Sequence, residues 1–308
     1  MEEREKRWDV LGIGSATVDD LLFVPSFPVP DTKNRLDRVE RYGGGLVATA
    51  LVAVARMGLR AAYAGMLGDD DISRWIADDL AREGVDVSPV VQRPDARPIH
   101  AFIMVESASQ TRTILYTVEG RTGADDELPD AETIRAAKVL LIDDVGTDAA
   151  MRPARIAREA GIPVVADFEW TDDRNLISLP DHLIVSQRFA ARVTGRATPA
   201  QAARALWNDD RTVVAITCGA EGCWSLTAND ATPIHYPAFP VEVVDTTGCG
   251  DVFHGAYAAA LALGLELEDR LHVAVAAAAI KATQAGGRKG IPTRERIETF
   301  LRAMTSHG

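Results

Sequence analysis

A chain of 308 residues, 47% hydrophobic and 25% charged, carries enough apolar material for a large buried core. It suits one large α/β domain or two ordinary ones. Its 33 Lys and Arg against 45 Asp and Glu leave a net charge of −12. That balance argues against a nucleic-acid or anionic-membrane binder, because phosphate surfaces call for a basic face.

Three cysteines exclude a disulfide framework and suggest a reducing cytosol. The charged start MEEREKRWDV lacks the apolar core of a signal peptide, and no apolar stretch reaches the length of a membrane span. A cytoplasmic enzyme is the expectation.

In chain order, short β-branched runs alternate with alanine-rich amphipathic stretches. Trp8–Ile13 reads as a strand and 46–57 as a helix. After Asp71, the residues Ile72, Trp75, Ile76 and Leu80 fall on one side of a helix that Gly84 stops. A strand at 139–142, a helix at 149–160 and a strand at Val164–Phe168 follow. Such alternation implies a mostly parallel sheet with helices on both faces, an α/β architecture. Two regions break it: 21–39, rich in proline and charge, and 99–105 with 111–118, a hairpin around 106–110. They are expected to stand off the main sheet, either covering a pocket or as an ordinary surface hairpin. No repeat or linker marks a boundary, so residues 1–308 read as a single domain.

The most informative segment is Val243-Val244-Asp245-Thr246-Thr247-Gly248-Cys249-Gly250-Asp251-Val252-Phe253-His254-Gly255-Ala256. A β-like run ends, a Gly-x-Gly turn follows, and an apolar helix runs to about Leu263. Glycines let the backbone approach a ligand, and the first amides of the helix are ready donors for an anion. Asp251 beside those donors gives the pair that phosphoryl transfer needs: a carboxylate to take a proton and amides to take up phosphate charge. For a bare Gly-x-Gly-Asp, an acid-capped helix start is the competing reading.

The longer string Asp-Thr-Thr-Gly-x-Gly-Asp closely resembles the second signature of the ribokinase-like (PfkB) carbohydrate kinases. That resemblance implies a three-layer α/β/α sandwich with a small protruding β-sheet lid, here from about 21–42 and 97–118. It implies Asp251 as catalytic base and the backbone of Gly248, Cys249 and Gly250 as the anion hole. Cys249 stands where Ala is commonest in the family; a helix N-terminus can lower a thiol's pKa, or the residue can simply fill a small space.

Gly43-Gly44-Gly45 before an alanine-rich helix ending at Met57-Gly58 resembles the first signature, and Gly65-x-x-Gly68-Asp69-Asp70 continues the match. Gly43 and Gly44, with Gly45, would then lie against the sugar, although Ala48 replaces an expected Asn. Asp19 takes the place of the family's sugar-hydroxyl acceptor, with Asp20 as the alternative. Gly12-x-Gly14 lacks the third glycine of a dinucleotide fingerprint, Thr17 standing in its place.

On the nucleotide side, Thr217, Gly219 and Gly222 resemble the family's Thr-x-Gly-x-x-Gly near the ATP phosphates. Ala277, Lys281 and Gly286, in the helix 276–283 and the loop after it, match the adenine-flanking region, with Thr247, Gly248 and Gly250 facing the phosphates. Arg288 in that loop is either solvated or functional. Ser186 and Phe189 occupy the places of an Asn-x-x-Glu motif linked to magnesium, so Mg2+ would be held by water and phosphate. A monovalent cation, K+, is also implied, to which Asp245, Thr247 and the loop at Gly286 could supply oxygens. Six histidines show no metal-ligand spacing, and His254 reads as packing near the site.

The wording of the motifs looks most like the sulfofructose-kinase branch, whose ketohexose carries a sulfonate; Lys33 could meet that anion. Tyr116 stands where an amide is expected, however, and Asp143-Asp144 end a strand where an arginine is. Arg97, Arg112 and Arg121 remain as cations. The substrate therefore reads as a sulfofructose- or fructose-type ketohexose phosphorylated at a primary hydroxyl. The alternatives are a nucleoside, a 2-keto-3-deoxy sugar acid, or a catalytically silent sugar or nucleotide sensor. A homodimer through the lid is expected, with no nucleic-acid or membrane partner.

Overall fold

The computed structural model describes residues 6–106 and 111–305. Eight strands form the main sheet, in the order Ile234–Tyr236, Cys223–Leu226, Val213–Thr217, His182–Ser186, Val164–Phe168, Ala137–Asp143, Trp8–Ile13, Ala61–Tyr63. Neighbours from Val213–Thr217 to Ala61–Tyr63 run parallel, and the two strands beyond Val213–Thr217 pair antiparallel. Both faces are covered. Val10, Val139 and Val165 pack into one core with the helices Leu46–Arg56, Cys249–Ala262 and Leu267–Ala282. Leu11, Leu140 and Val164 pack into another with Thr147–Glu159, Gln187–Thr194 and Pro199–Leu206. Burial on both sides is why these strands read as unbroken apolar runs.

Small residues in the helices set how close the layers come. A Cβ on Gly255 would run into the backbone of Ala50, so Cys249–Ala262 crosses Leu46–Arg56 at near backbone contact. Ala48 is fully buried in that interface, which explains why no amide side chain stands there. The helix Asp71–Arg82 starts where expected, with Asp70 accepting from Ser73 N at 2.9 Å, and gives way to Gly84 at φ 84°.

A second sheet has the order Arg38–Gly44, Thr17–Val24, Ile99–Glu106, Thr111–Thr117. It begins at Thr17, four residues ahead of the expected edge at 21, so Asp19 belongs to this sheet rather than to a connection from the main one. The stretch between Val24 and Arg38 forms no strand. The expected hairpin is present as the antiparallel pair Ile99–Glu106 and Thr111–Thr117, and its tip at 107–110 lies outside the described residues. Register puts Tyr42, Asp19, Ala101 and Tyr116 in one cross-strand row, hence on one face. Leu22, Val39, Phe102 and Leu115 fall on the opposite face, with Val39 and Leu115 more than half exposed.

Candidate active site

The second glycine turn opens the helix Cys249–Ala262. Gly248 caps it at φ 78°, a conformation that glycine adopts without strain, and a Cβ there would lie 2.6 Å from Gly287 O. Gly250 faces open space: a Cβ built on it would meet nothing within 4 Å. The amides of Gly250 and Asp251, in the first turn, have no intrahelical acceptor. The Cys249 N–H is the exception in the expected anion hole, since it donates to Thr246 O at 3.2 Å. Burial pushes the Cys249 thiol above its usual pKa, so the helix N-terminus does not make it a thiolate.

Asp251 sits half-buried beside that opening. Burial raises its pKa well above the usual carboxylate range, and the carboxylates of Asp167 and Glu169 push the same way, against His254 and Arg288. Asp167 ends the strand Val164–Phe168 and is itself buried. His254 ties the corner together: its Nε2 faces Ile184 O at 2.9 Å, and its Nδ1 faces Gly250 O at 2.8 Å and Asp167 Oδ2 at 3.1 Å. It therefore pins the first helical turn to the sheet, a more specific role than packing. Removing the neighbouring charge in Glu169→Gln lowers the Asp251 pKa, so the acidic limb of kcat/KM should move to lower pH than in the wild-type enzyme. A pH–rate profile of both proteins checks the direction.

The first glycine run meets this corner from the other side. Gly45 bends the chain into the helix Leu46–Arg56 at φ 91°. A Cβ on Gly44 would lie 2.8 Å from Asp19 Oδ2, and one on Gly43 would run into Arg288 and Asp79. Gly44 thus keeps Asp19 uncovered, whereas Gly43 makes room for an arginine rather than for a sugar. Of the two candidate acids, Asp20 is consumed by Arg41, with two bonds of 2.7 Å, and by His100 at 2.7 Å. Asp19 keeps one long bond of 3.3 Å from Thr17 Oγ1, and burial raises its pKa.

Arg288 connects the two halves. Only 6% exposed, it donates to Asp79 Oδ2 at 2.7 Å, Gly44 O at 2.8 Å and Thr49 Oγ1 at 3.2 Å. Its charge acts on both Asp19 and Asp251. Asp143 and Asp144 do not face a substrate freely. Asp143 accepts from Ser15 N and Oγ at 2.7 Å each, with burial raising its pKa to about 7, and Asp144 Oδ2 accepts from the amides of Glu169, Trp170 and Thr171. The other expected cations are spoken for. Arg97 lies 3.7 Å from Asp70, and Arg121 pairs with Asp125 at 3.3 Å and Asp126 at 3.0 Å. Lys33 is exposed in the stretch between strands.

Comparison with known proteins decides the family. The model described as "pfkB family carbohydrate kinase" matches residues 9–294. The chain belongs to the pfkB family of carbohydrate kinases. It is accordingly an ATP-dependent kinase that phosphorylates a sugar hydroxyl. The chain is 31% identical over 290 residues to an Arabidopsis thaliana protein named "Probable fructokinase-3", covering 84% of this chain and 82% of that one. It is 26% identical over 299 residues to the bifunctional ribokinase/ribose-5-phosphate isomerase A of Fructilactobacillus sanfranciscensis, covering 94% of this chain but spanning only 55% of that protein. The crystal structure of ribokinase from Thermotoga maritima, 25% identical, superimposes with a TM-score of 0.84 over 96% of this chain and 99% of that one. The architecture is thus the ribokinase-like three-layer fold with a small additional sheet. Nothing in these comparisons singles out the sulfofructose-kinase branch.

On the nucleotide side of this pfkB kinase, the expected residues differ in exposure. Ala277 is 1% exposed and Lys281 is fully buried, both in the helix Leu267–Ala282. Gly222 is glycine because a Cβ would run into the backbone at Tyr236, whereas Gly219 faces open space. Thr217 ends the strand Val213–Thr217 and is part-exposed. A cavity of about 380 Å³, lined by Glu169, Trp170, Ser186, Arg188, Phe189 and Arg192, opens beyond the carboxyl ends of Val164–Phe168 and His182–Ser186.

Magnesium fits only as a companion of the triphosphate. Ser186 caps the helix Gln187–Thr194 by accepting from Phe189 N at 3.1 Å, and Phe189 is core. No group of three His, Cys, Asp or Glu among the described residues could hold a metal. A K+ site fits poorly. Asp245 Oδ1 accepts from Thr247 N and Oδ2 from Gly286 N, each at 2.9 Å, while Thr247 Oγ1 accepts from Arg112 of the second sheet. The Gly286 amide is thus committed to Asp245. No helix among the described residues is long and apolar enough to cross a membrane.

Proposed function

We propose that this kinase phosphorylates a primary hydroxyl of a small neutral sugar, a fructose-type ketohexose or a pentose, with Asp251 as general base. The observation that carries the reading is Arg288: one buried guanidinium acts on both Asp19 and Asp251 and holds Gly44 between them. A sugar whose hydroxyls bond Asp19 would therefore present another hydroxyl toward Asp251. Asp251 takes that proton as the oxygen attacks the γ-phosphoryl in line, and the free amides of Gly250 and Asp251 take up charge on the transferring group. ATP lies along the Thr217–Gly219 turn and the 286–290 loop, and Mg2+ neutralises its phosphates.

Tyr42 stands beside Asp19 in its row and Tyr116 lies beyond Ala101, and both supply apolar walls to a sugar ring. The second sheet acts as a lid that limits wasteful hydrolysis. Its opposite face, with Val39 and Leu115 exposed, supports pairing of two lids into a homodimer. A neutral acceptor is favoured over a sulfonated one because Arg97, Arg112 and Arg121 already lie against acids.

A coupled ADP-release assay over a panel of fructose, ribose, sulfofructose, a nucleoside and a 2-keto-3-deoxy sugar acid tests this. The neutral sugars should give the highest kcat/KM. A preference for the sulfonate or the sugar acid would overturn the neutral-acceptor reading, and ATP binding without acceptor-stimulated ADP release would favour a sensor.

A further inference from the structure

Lys281 is the one side chain at this site whose position the kinase reaction does not explain. It lies in the last turn of Leu267–Ala282 with no exposed surface, and a lysine is almost never fully buried unless paired. Its Nζ donates to the backbone oxygen of Asp245 at 2.8 Å, at the start of the second glycine turn. The loop 286–290 wraps over it: a Cβ on Gly290 would lie 2.7 Å from Lys281 O. Burial lowers the Lys281 pKa and Arg112 pushes the same way, while the charges of Cys249, Asp245 and Asp251 work against that shift from the turn above.

Four of the oxygens that could ligate a monovalent cation here already accept a donor. The two carboxylate oxygens of Asp245 accept amides, its carbonyl accepts Lys281, and Thr247 Oγ1 accepts Arg112. An alkali ion set among these oxygens would lie against an ammonium and a guanidinium, and like charges at contact distance repel. The ammonium instead supplies one positive charge and a fixed donor under the turn whose amides face the phosphoryl group.

We propose that the Lys281 ammonium is a built-in monovalent cation, which orients the 245–250 turn in place of K+ and makes this kinase independent of added alkali ions. Lys281 is a positioning residue, since it acts on the reaction through the Asp245 carbonyl. The activity arm of the test rests on the kinase reading above; the thermal arm does not.

The test compares potassium, sodium and choline chlorides at equal ionic strength, reading ADP release with the best acceptor and the melting temperature. Wild-type protein should give the same rate and the same Tm in all three. Lys281→Ala, which empties the position, should lose about tenfold or more in choline, the worth of a charge-assisted hydrogen bond. Potassium or ammonium should then restore several-fold of that activity and raise the variant's Tm above its value in choline. Wild-type protein activated several-fold by potassium, or specifically stabilised by it, would overturn the proposal. So would a folded Lys281→Ala protein that neither ion rescues in rate or Tm. If the variant does not fold, the wild-type comparison still decides. Wild-type protein without activity on any acceptor would defeat the kinase reading instead, leaving the Tm comparison to judge Lys281.

Discussion

Asp251→Asn should lower kcat by roughly 10²–10⁴, the usual worth of a positioned general base, while ATP affinity stays close to that of the wild type. The amide keeps the size of the carboxyl and leaves the Gly248 cap and the open face of Gly250 in place. What it removes is the proton acceptor. The environment of Asp251 sharpens the expectation: burial, Asp167 and Glu169 raise its pKa well above the ordinary carboxylate value. Turnover in the wild-type enzyme should therefore fall as pH drops through that raised pKa, and the residual rate of the variant should lose this limb. Steady-state kinetics with an independent measurement of ATP binding checks both. Near-wild-type turnover would remove Asp251 as the base.

Arg288→Met should be the most destabilising single change at the site. Its guanidinium is buried against Asp79, Gly44 O and Thr49, and Arg56 in turn donates to the Arg288 carbonyl at 2.9 Å. Breaking a buried pair by removing one partner costs about 3–5 kcal/mol, because the other charge is left uncompensated. Chemical denaturation should show a loss of that order. Two further signs separate this from a general packing defect. The acidic limb of the rate profile should move up in pH, since Asp251 loses a cation that holds its pKa down, and sugar KM should rise as Gly44 is released beside Asp19. Lysine should not rescue, because the donors of an ammonium share one nitrogen and cannot reach acceptors spread around the guanidinium plane. Unchanged stability with unchanged KM would show that Arg288 does not join the two halves.

The parts of this molecule legible in the sequence are those whose physics is local. Unbroken apolar runs such as 139–142 report strands buried on both faces, and Gly248-Cys249-Gly250-Asp251 reports a helix start bare of side chains because neighbours along the chain create it. The choice of Asp19 over Asp20 agrees with the register, which turns Asp20 toward Arg41 and His100. Asp167 and Glu169 were missed: nothing in Val-Val-Ala-Asp-Phe-Glu tells that this strand end lies against a helix more than eighty residues later. Arg288 was ambiguous for the same reason, as its partners Gly44, Thr49 and Asp79 are brought to it only by the fold. For Ala277 and Lys281 the sequence leaves the direction open, because helical spacing fixes a face relative to the helix, not relative to a ligand. The start of the second sheet was placed late because Thr17–Val24 follows Trp8–Ile13 after only three residues, and a sheet change needs no more.

The most direct measurement of the central claim is a crystal structure with a non-hydrolysable ATP analogue and the preferred sugar bound together. The account predicts the γ-phosphoryl oxygens at the amides of Gly250 and Asp251, with a sugar hydroxyl within about 2.6–3.2 Å of the Asp251 carboxylate. It also predicts other hydroxyls of the same sugar on Asp19. A terminal phosphoryl bound away from that turn, or a sugar whose reacting hydroxyl faces a different side chain, would contradict it.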